Sequence, residues 1–579
     1  MNLIDQWIIV LYFVVILLIG FIVSKRARSS VEGFFLGGNK IPWYLLGVSG
    51  MASFIDLSGT AFQVAFFFLL GAKGFWVGFQ GNVALLLAFL MIFMGKWLYR
   101  SKVMTNAELV LLRFGKNRQG DIARIATVVS ILVIVLAFLG YFFVGAVKVL
   151  PDYIPFFENP KVTALFFFCI VGVITIMSGF QGVVFTDLLQ SFLMLGLIVY
   201  VGIKAYMTLT PEYVTEFAST EWTHFFPSDG NWTQNLTGSL SSMNPLGILL
   251  IFWIIANLLQ GFAMPFDAWT SQRYYAARNE RESSLIAWQW ICLYGLRFFL
   301  MAGLGILAVG IAKSITDPEM ALTKVIGQLI PVGIKGVLLS ALIAAAMSTA
   351  NSFVNASASY FVNDIYKPFI RPDASQKRLV RVSAITTGAL LVFGVVIGWM
   401  FDSITAIWGW IVMGLLTGTL PPNILKWLWW RLNGIGYLCG MISGIIAACI
   451  VQLFFASAPV YIVFCIVFVL STIGTIAGNF LGKTPDMKDL VEFYSRIRPF
   501  GFWGPVKKLC DGTMVAKADK ENRRDLLLLI PAVIWQVALF YLWTAIVFRQ
   551  YVDLWICVAV IIITSAILYK YWYKNLKKS

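Results

Sequence analysis

The chain has 579 residues, 59% of them hydrophobic and only 12% charged, with a mean hydropathy of +0.82. That composition excludes a soluble globular domain and describes a polytopic membrane protein. The net charge of +16 is read as Lys and Arg held in cytoplasmic loops as topology signals, not as a nucleic-acid surface.

The N-terminus, MNLIDQWIIVLYFVVILLIGFIVSKRARSS, carries an apolar run too long for a signal-peptide core. No small-residue cleavage site follows it, so it reads as a retained first helix. About fifteen runs of spanning length are expected, at roughly 20 residues per crossing. They begin near Trp7, Leu45, Phe75, Ile125, Val162, Val183, Leu246, Leu285, Val337, Ala384, Ile404, Ile435, Tyr461, Leu526 and Leu554. Basic clusters follow alternate runs, among them Lys96, Arg100 and Lys102, then Arg273, Arg278 and Arg281. This alternation predicts a multi-pass protein of the cell membrane with its N-terminus outside and its C-terminus, KNLKKS, cytoplasmic.

Seven cysteines fall in or near apolar runs, apart from Cys510 in a basic loop. No disulfide framework is expected. The one histidine, His224, lies in the longest predicted outer loop, which weighs against a buried His base or a His-ligated metal. That loop also holds sequons at Asn231 and Asn235.

A weak internal symmetry organises the middle of the chain. Runs two to six start inside and runs seven to eleven start outside, and each group opens on an interrupted helix. The interruptions are GMASFIDLSG and NLLQGFAMPFD. Gly and polar residues at matching places in inverted halves point to a binding site at the membrane midplane. The expected divisions are 1–30 for an extra helix, 42–206 and 246–432 for the two repeats, and 207–245 for the outer loop. Two peripheral helices at 433–482, a basic loop at 483–524 and two C-terminal helices at 525–579 complete the chain.

Four segments carry chemistry. In SGMASFIDLSGTAF, Ser49, Ser53 and Ser58 with Gly50 and Gly59 weaken a helix where unwound backbone must line a cavity or be buried in protein. Asp56 there offers a ligand for a cation, an amine or a hydroxyl; the alternative is a structural partner for Arg297. In the ninth run, Ser348, Ser352, Asn355 and Ser359 share one helix face, either to coordinate an ion or as small residues that permit close packing. Asp187, with Gln190 on the same side, either balances a cation or sits at the interface. Arg297 is flanked by apolar residues and is expected to face the bundle.

Together these segments resemble the sodium/solute symporter family over roughly Ser30 to Gly444. VEGFFLGGNKIPWYLLGVSGMAS resembles the entry to that family's first core helix, and MTNAELVLLRFG its T-x-x-E loop. GFQGVVFTDLLQ resembles a signature in which Phe185 stands for a tryptophan. SQRYYAARN and ALIAAAMSTANSFVNASASYFVNDIY complete the match. The resemblance implies an all-α bundle with a five-plus-five inverted-repeat core and a broken first helix in each repeat. It implies a sodium site from the carbonyls of Ala52, Ile55 and Ala345 and the hydroxyls of Ser348 and Thr349, with Asp187 close by. It places solute contacts at Asp56, Gln80, Asn82, Asn257, Gln260 and Arg297. The family's aromatic inner gate is replaced here around Leu258, Leu259 and Gln260, and Asp56 stands where galactose-type relatives have a serine.

The expected function is sodium-coupled import of a small polar solute by alternating access, favouring a monosaccharide or sugar derivative. Partners are sodium, the solute and the bilayer, with no nucleic acid and no cofactor beyond the coupling ion. The alternatives are a charged carboxylate or amine as solute, and a transporter-like sensor. An enzyme is disfavoured because no nucleophile in the membrane has an evident base.

Overall fold

The structure, a computed structural model, describes residues 2–27, 41–54, 56–80, 85–153, 157–218, 220–227, 232, 240, 243–244, 246–263, 268–456 and 458–576. The described residues are helical apart from connections and a single bridge, Trp429 to Phe502. In chain order the helices are α1 (Leu3–Ala27), α2 (Trp43–Ala52), α3 (Leu57–Leu70), α4 (residues 86–101, with a π turn at Leu90–Met94) and α5 (Asn106–Phe114). Next come α6 (Arg118–Val149), α7 (Pro160–Thr208), α8 (Pro211–Phe217), α9 (Leu246–Ala263), α10 (Ala268–Tyr275), α11 (Glu280–Val309) and α12 (Ala321–Leu329). The rest are α13 (Ile334–Phe361), α14 (Gln376–Trp399), α15 (Ile404–Leu428), α16 (Gly434–Phe454), α17 (Val460–Leu481), α18 (Met487–Ile497), α19 (Gly512–Val547) and α20 (Tyr551–Tyr571).

Twelve helices among the described residues are long and apolar enough to cross a membrane. The other three expected runs fall on α1, on residues 86–101 and on the start of α7. Twelve of the fifteen expected runs thus meet this length and composition among the described residues. The helical stretch α7 runs through 49 residues. Lys161 at its start reaches Trp399 O at 3.2 Å, Gly172 lies against Leu391, and Lys204 near its end donates to Leu329 O.

Local chemistry explains several element ends. Thr105 Oγ1 accepts from Glu108 N at 3.1 Å, and Glu108 Oε2 accepts from Met104 N at 2.8 Å. The T-x-x-E stretch is thus a variant capping box that starts α5. Arg113, at the end of the same motif, is fully buried and donates to the carbonyls of Lys426 (2.8 Å) and Trp429 (2.8 Å). It satisfies orphan carbonyls at the C-terminus of α15 and complements that end's partial negative charge. Asp5 does the opposite at α13, taking the N–H groups of Gly333 (2.7 Å) and Gly336 (2.9 Å) and pinning α1 across that helix start.

The face bearing most Lys and Arg is closed by an ionic lattice. Lys96 Nζ meets Glu521 at 3.0 Å and also Asp525, while Arg100 holds Glu280 at 2.9 Å and Glu521 at 2.7 Å. α19 begins at Gly512, within the stretch expected as a loop, and supplies two of those carboxylates. At the far face, Glu319 is fully buried and caps α15 through Ile404 N and Thr405 N, with Lys148 at 3.4 Å.

Candidate functional site

The helix break foreseen at GMASFIDLSG lies between α2 and α3. α2 ends at Ala52, and Phe54 N still bonds Met51 O at 3.0 Å. Asp56 is extended and starts α3 as its N-cap, its carboxylate accepting from Gly59 N at 2.8 Å. A carboxylate at this position satisfies an orphan amide and meets the helix's positive end. Ile55 lies outside the described residues. So do residues 264–267, where the second interruption, between α9 and α10, was expected.

Arg297, on α11, reaches into the break. One terminal nitrogen lies 3.7 Å from Asp56 Oδ1; the other donates to Phe54 O at 2.8 Å and to the Tyr294 hydroxyl at 2.7 Å. Its Nε is buried and finds no partner among the described residues. Gly59 has to be glycine at this point. A Cβ there would sit 2.5 Å from Asp56 Oδ1, 2.8 Å from the Arg297 guanidinium and 3.0 Å from the Tyr141 hydroxyl. Asp56 and Arg297 open on a cavity of about 50 Å³ walled by Phe138, Tyr141, Phe353 and Trp408, with Gln63 and Thr349 also on its lining. At ~10–15 Å³ per water centre, that is space for a few waters.

A second charged centre lies on the other half of the broken helix. Asp187 is fully buried; Ser49 Oγ donates to one carboxylate oxygen at 2.5 Å and Ser348 Oγ to the other. Arg273, on α10 and equally buried, lies 3.8 Å from Asp187. Its guanidinium donates to Ser49 O (3.1 Å), Ser49 Oγ (2.9 Å), Ser53 Oγ and Ser352 Oγ (3.3 Å). Ser53 and Ser352 are themselves 3.1 Å apart, which joins α2 to α13.

The expected site residues are therefore gathered unevenly. Ala52 and Ala345 line one small cavity of about 10 Å³ with Gln190 and Ser191. Thr349 Oγ1 donates to Ala345 O at 2.8 Å, and Ser348 is bound to Asp187. Asp56 and Arg297 share the larger cavity. Asn257 is spent on backbone, donating to Phe79 O and Trp253 O, and Gln260 is buried with both amide atoms unpartnered among the described residues. Neither lines the larger cavity. Asn82 and the side chain of Gln80 lie outside the described residues.

Two groups escaped the sequence reading. Arg273 was counted with the loop cations. Tyr294 stands three residues before Arg297, a spacing that puts both on one helix face and was available as a signal.

A helical bundle whose broken helix carries buried charge beside an internal cavity has the architecture of a secondary transporter, not of an enzyme. The sodium:solute symporter family model matches residues 34–444, and the chain belongs to that family. Similar sequences include the sodium/glucose cotransporter of Vibrio parahaemolyticus, 26% identical over 492 residues, or 77% of this chain and 84% of that one. The sodium/myo-inositol cotransporter of Bos taurus is 26% identical over 443 residues, 68% of this chain and 58% of that longer one. The solved substrate-bound, outward-open structure of a Na+-coupled sialic acid symporter shares the fold. The TM-score is 0.63 at 21% identity, covering 84% of this chain and 99% of that one.

Proposed function

We propose that the chain imports a monosaccharide or sugar derivative together with sodium. The observation that carries the solute class is the cavity itself: polar groups of both signs, Asp56 and Arg297, beside aromatic walls at Tyr141, Phe353 and Trp408. Such a lining suits a neutral, hydroxyl-rich ring, which offers donors and acceptors on its edge and C–H faces to aromatic rings. The glucose and myo-inositol named for two relatives are solutes of that chemistry. The cavity must widen to admit such a ring, because its present volume suits only water. The unpartnered Nε of Arg297 favours a second reading, a carboxylate solute read by that guanidinium.

Sodium is read at Ala52, Ile55, Ala345, Ser348 and Thr349, with Asp187 supporting it. Ion and solute share the broken helix, so each raises the other's affinity by the same factor. The two five-helix repeats, 42–206 and 246–432, enclose this centre and open it to each side of the membrane in turn, with the N-terminus outside the cell and the basic face cytoplasmic. The test is uptake into proteoliposomes of labelled glucose, myo-inositol and a sugar acid, under sodium and potassium gradients of equal ionic strength. Sodium-driven accumulation of a neutral sugar supports the first reading. Accumulation of the sugar acid alone replaces it with the second, and uptake of none removes both.

A further inference from the structure

We infer that Arg273 is a tethered cation occupying a cation site built by Asp187, Ser49, Ser53, Ser348 and Ser352, and that a transported cation takes this site only when Arg273 withdraws. The inference rests on the sodium-symport reading for its cargo, but its geometry stands apart from it. Five oxygen-bearing side chains from α2, α7 and α13 form one connected shell, and a guanidinium from a fourth element, α10, lies against four of them. The serine face of α13 that the sequence offers to a cation is thus already serving one: Ser348 is committed to Asp187, and Ser352 accepts from Arg273.

A second cation in direct contact with Asp187 meets like charge at close range in a low-dielectric interior, so the two exclude each other. A buried Asp187 with neither is strongly unfavourable. Arg273 therefore supplies the counter-charge while the carrier is without its ion. That would let the ion-free bundle rearrange without stranding a bare carboxylate.

α10 also carries the release. Two residues from Arg273, Tyr275 donates to Asn106 Oδ1 at 2.6 Å, and Asn106 in turn donates to Ser271 Oγ at 3.1 Å and, through its backbone N–H, to the Tyr360 hydroxyl at 2.7 Å. Withdrawal of the guanidinium and loosening of this latch between α5, α10 and α13 are one motion of an eight-residue helix.

The test is a sodium chloride titration of thermal stability for the purified full chain, against potassium and choline chloride at equal ionic strength. The set is wild type, Arg273→Gln and Arg273→Lys. Expected is a half-saturating sodium concentration at least tenfold lower in Arg273→Gln, with Arg273→Lys close to wild type. Unchanged sodium dependence in Arg273→Gln overturns the inference, and so does an equal shift in both variants, which marks lost packing instead of lost charge. If no variant distinguishes sodium from potassium, the sodium-symport reading fails. The inference is then decided by low-millimolar guanidinium chloride: stabilisation of Arg273→Gln but not of wild type supports it, and no response overturns it. Should Arg273→Gln not be recovered folded, Asp187→Asn with and without Arg273→Gln replaces it. A double variant more stable than the single supports a charge paired across this site, and one no more stable overturns it.

Discussion

Two carboxylate–arginine pairs lie along one broken helix, and they differ in what surrounds them. Asp56 and Arg297 are separated by 3.7 Å, spend part of their capacity on backbone, and border the internal cavity. Asp187 and Arg273 are separated by 3.8 Å but sit in a closed shell of serine hydroxyls with no exposed surface. In the first pair, Arg297 Nε has no hydrogen-bond partner among the described residues. The second has each carboxylate oxygen engaged and a guanidinium shared among three serines. A solute site must exchange its partners for water and back. An ion site must instead hold a fixed set of oxygens, and the two pairs divide along that line.

The comparison breaks most visibly at Asp187. Asp187→Asn leaves Arg273 buried with its counter-charge gone, so a loss of about 3–5 kcal/mol is expected, read by chemical unfolding in detergent. A loss below about 1 kcal/mol would mean water reaches the shell and the two pairs are alike. Next comes Arg297→Ala. It should weaken solute binding by about 2–5 kcal/mol, roughly thirtyfold or more, while sodium-induced stabilisation without solute stays as in wild type; isothermal titration of solute in sodium buffer measures the first and thermal unfolding across a sodium series the second. Changes at Asp56 separate cap from charge. Asp56→Ser keeps a capping oxygen and Asp56→Ala does not, so the serine variant should be more stable by about 1 kcal/mol in thermal unfolding. The smallest effect is expected at Tyr294→Phe, which removes one acceptor from Arg297. A cost of about 1 kcal/mol in solute affinity is expected, with stability held within about 0.5 kcal/mol.

What the sequence allowed follows from the same physics. Hydropathy located the spans, and the cluster of Gly and Ser around Asp56 located the break, because a mid-membrane helix cannot spare those residues without purpose. Asp56 with Arg297 was legible as a pair, since each is costly alone in an apolar run. Ser348 near Asp187 was legible only through the family resemblance. Arg273 was not legible. Counting Lys and Arg near run ends treats each as a loop residue, and nothing in SQRYYAARN says that α10 turns back into protein. The aromatic walls were hidden for a different reason: in a chain that is 16% aromatic, Phe138 and Trp408 carry no contrast. Asn257 and Gln260 were chosen for residue type, and where their side chains turn is set by packing, which residue type does not carry. Asn257 turned toward Phe79 instead.

The ionic lattice at the basic face has a consequence for how the molecule can move. Lys96 and Arg100 on α4 are tied to Glu280 at the start of α11 and to Glu521 and Asp525 on α19. Trp572, just past α20, adds a bond to Met91 O at 3.2 Å. Both cations are buried, so moderate salt does not loosen these ties. Ties of this kind make α4, α11 and α19 expected to move together at this face. A pair of spin labels set on α4 and α19 is expected to keep its spacing through turnover, a fixed ruler against which the proposed withdrawal of α10 can be measured.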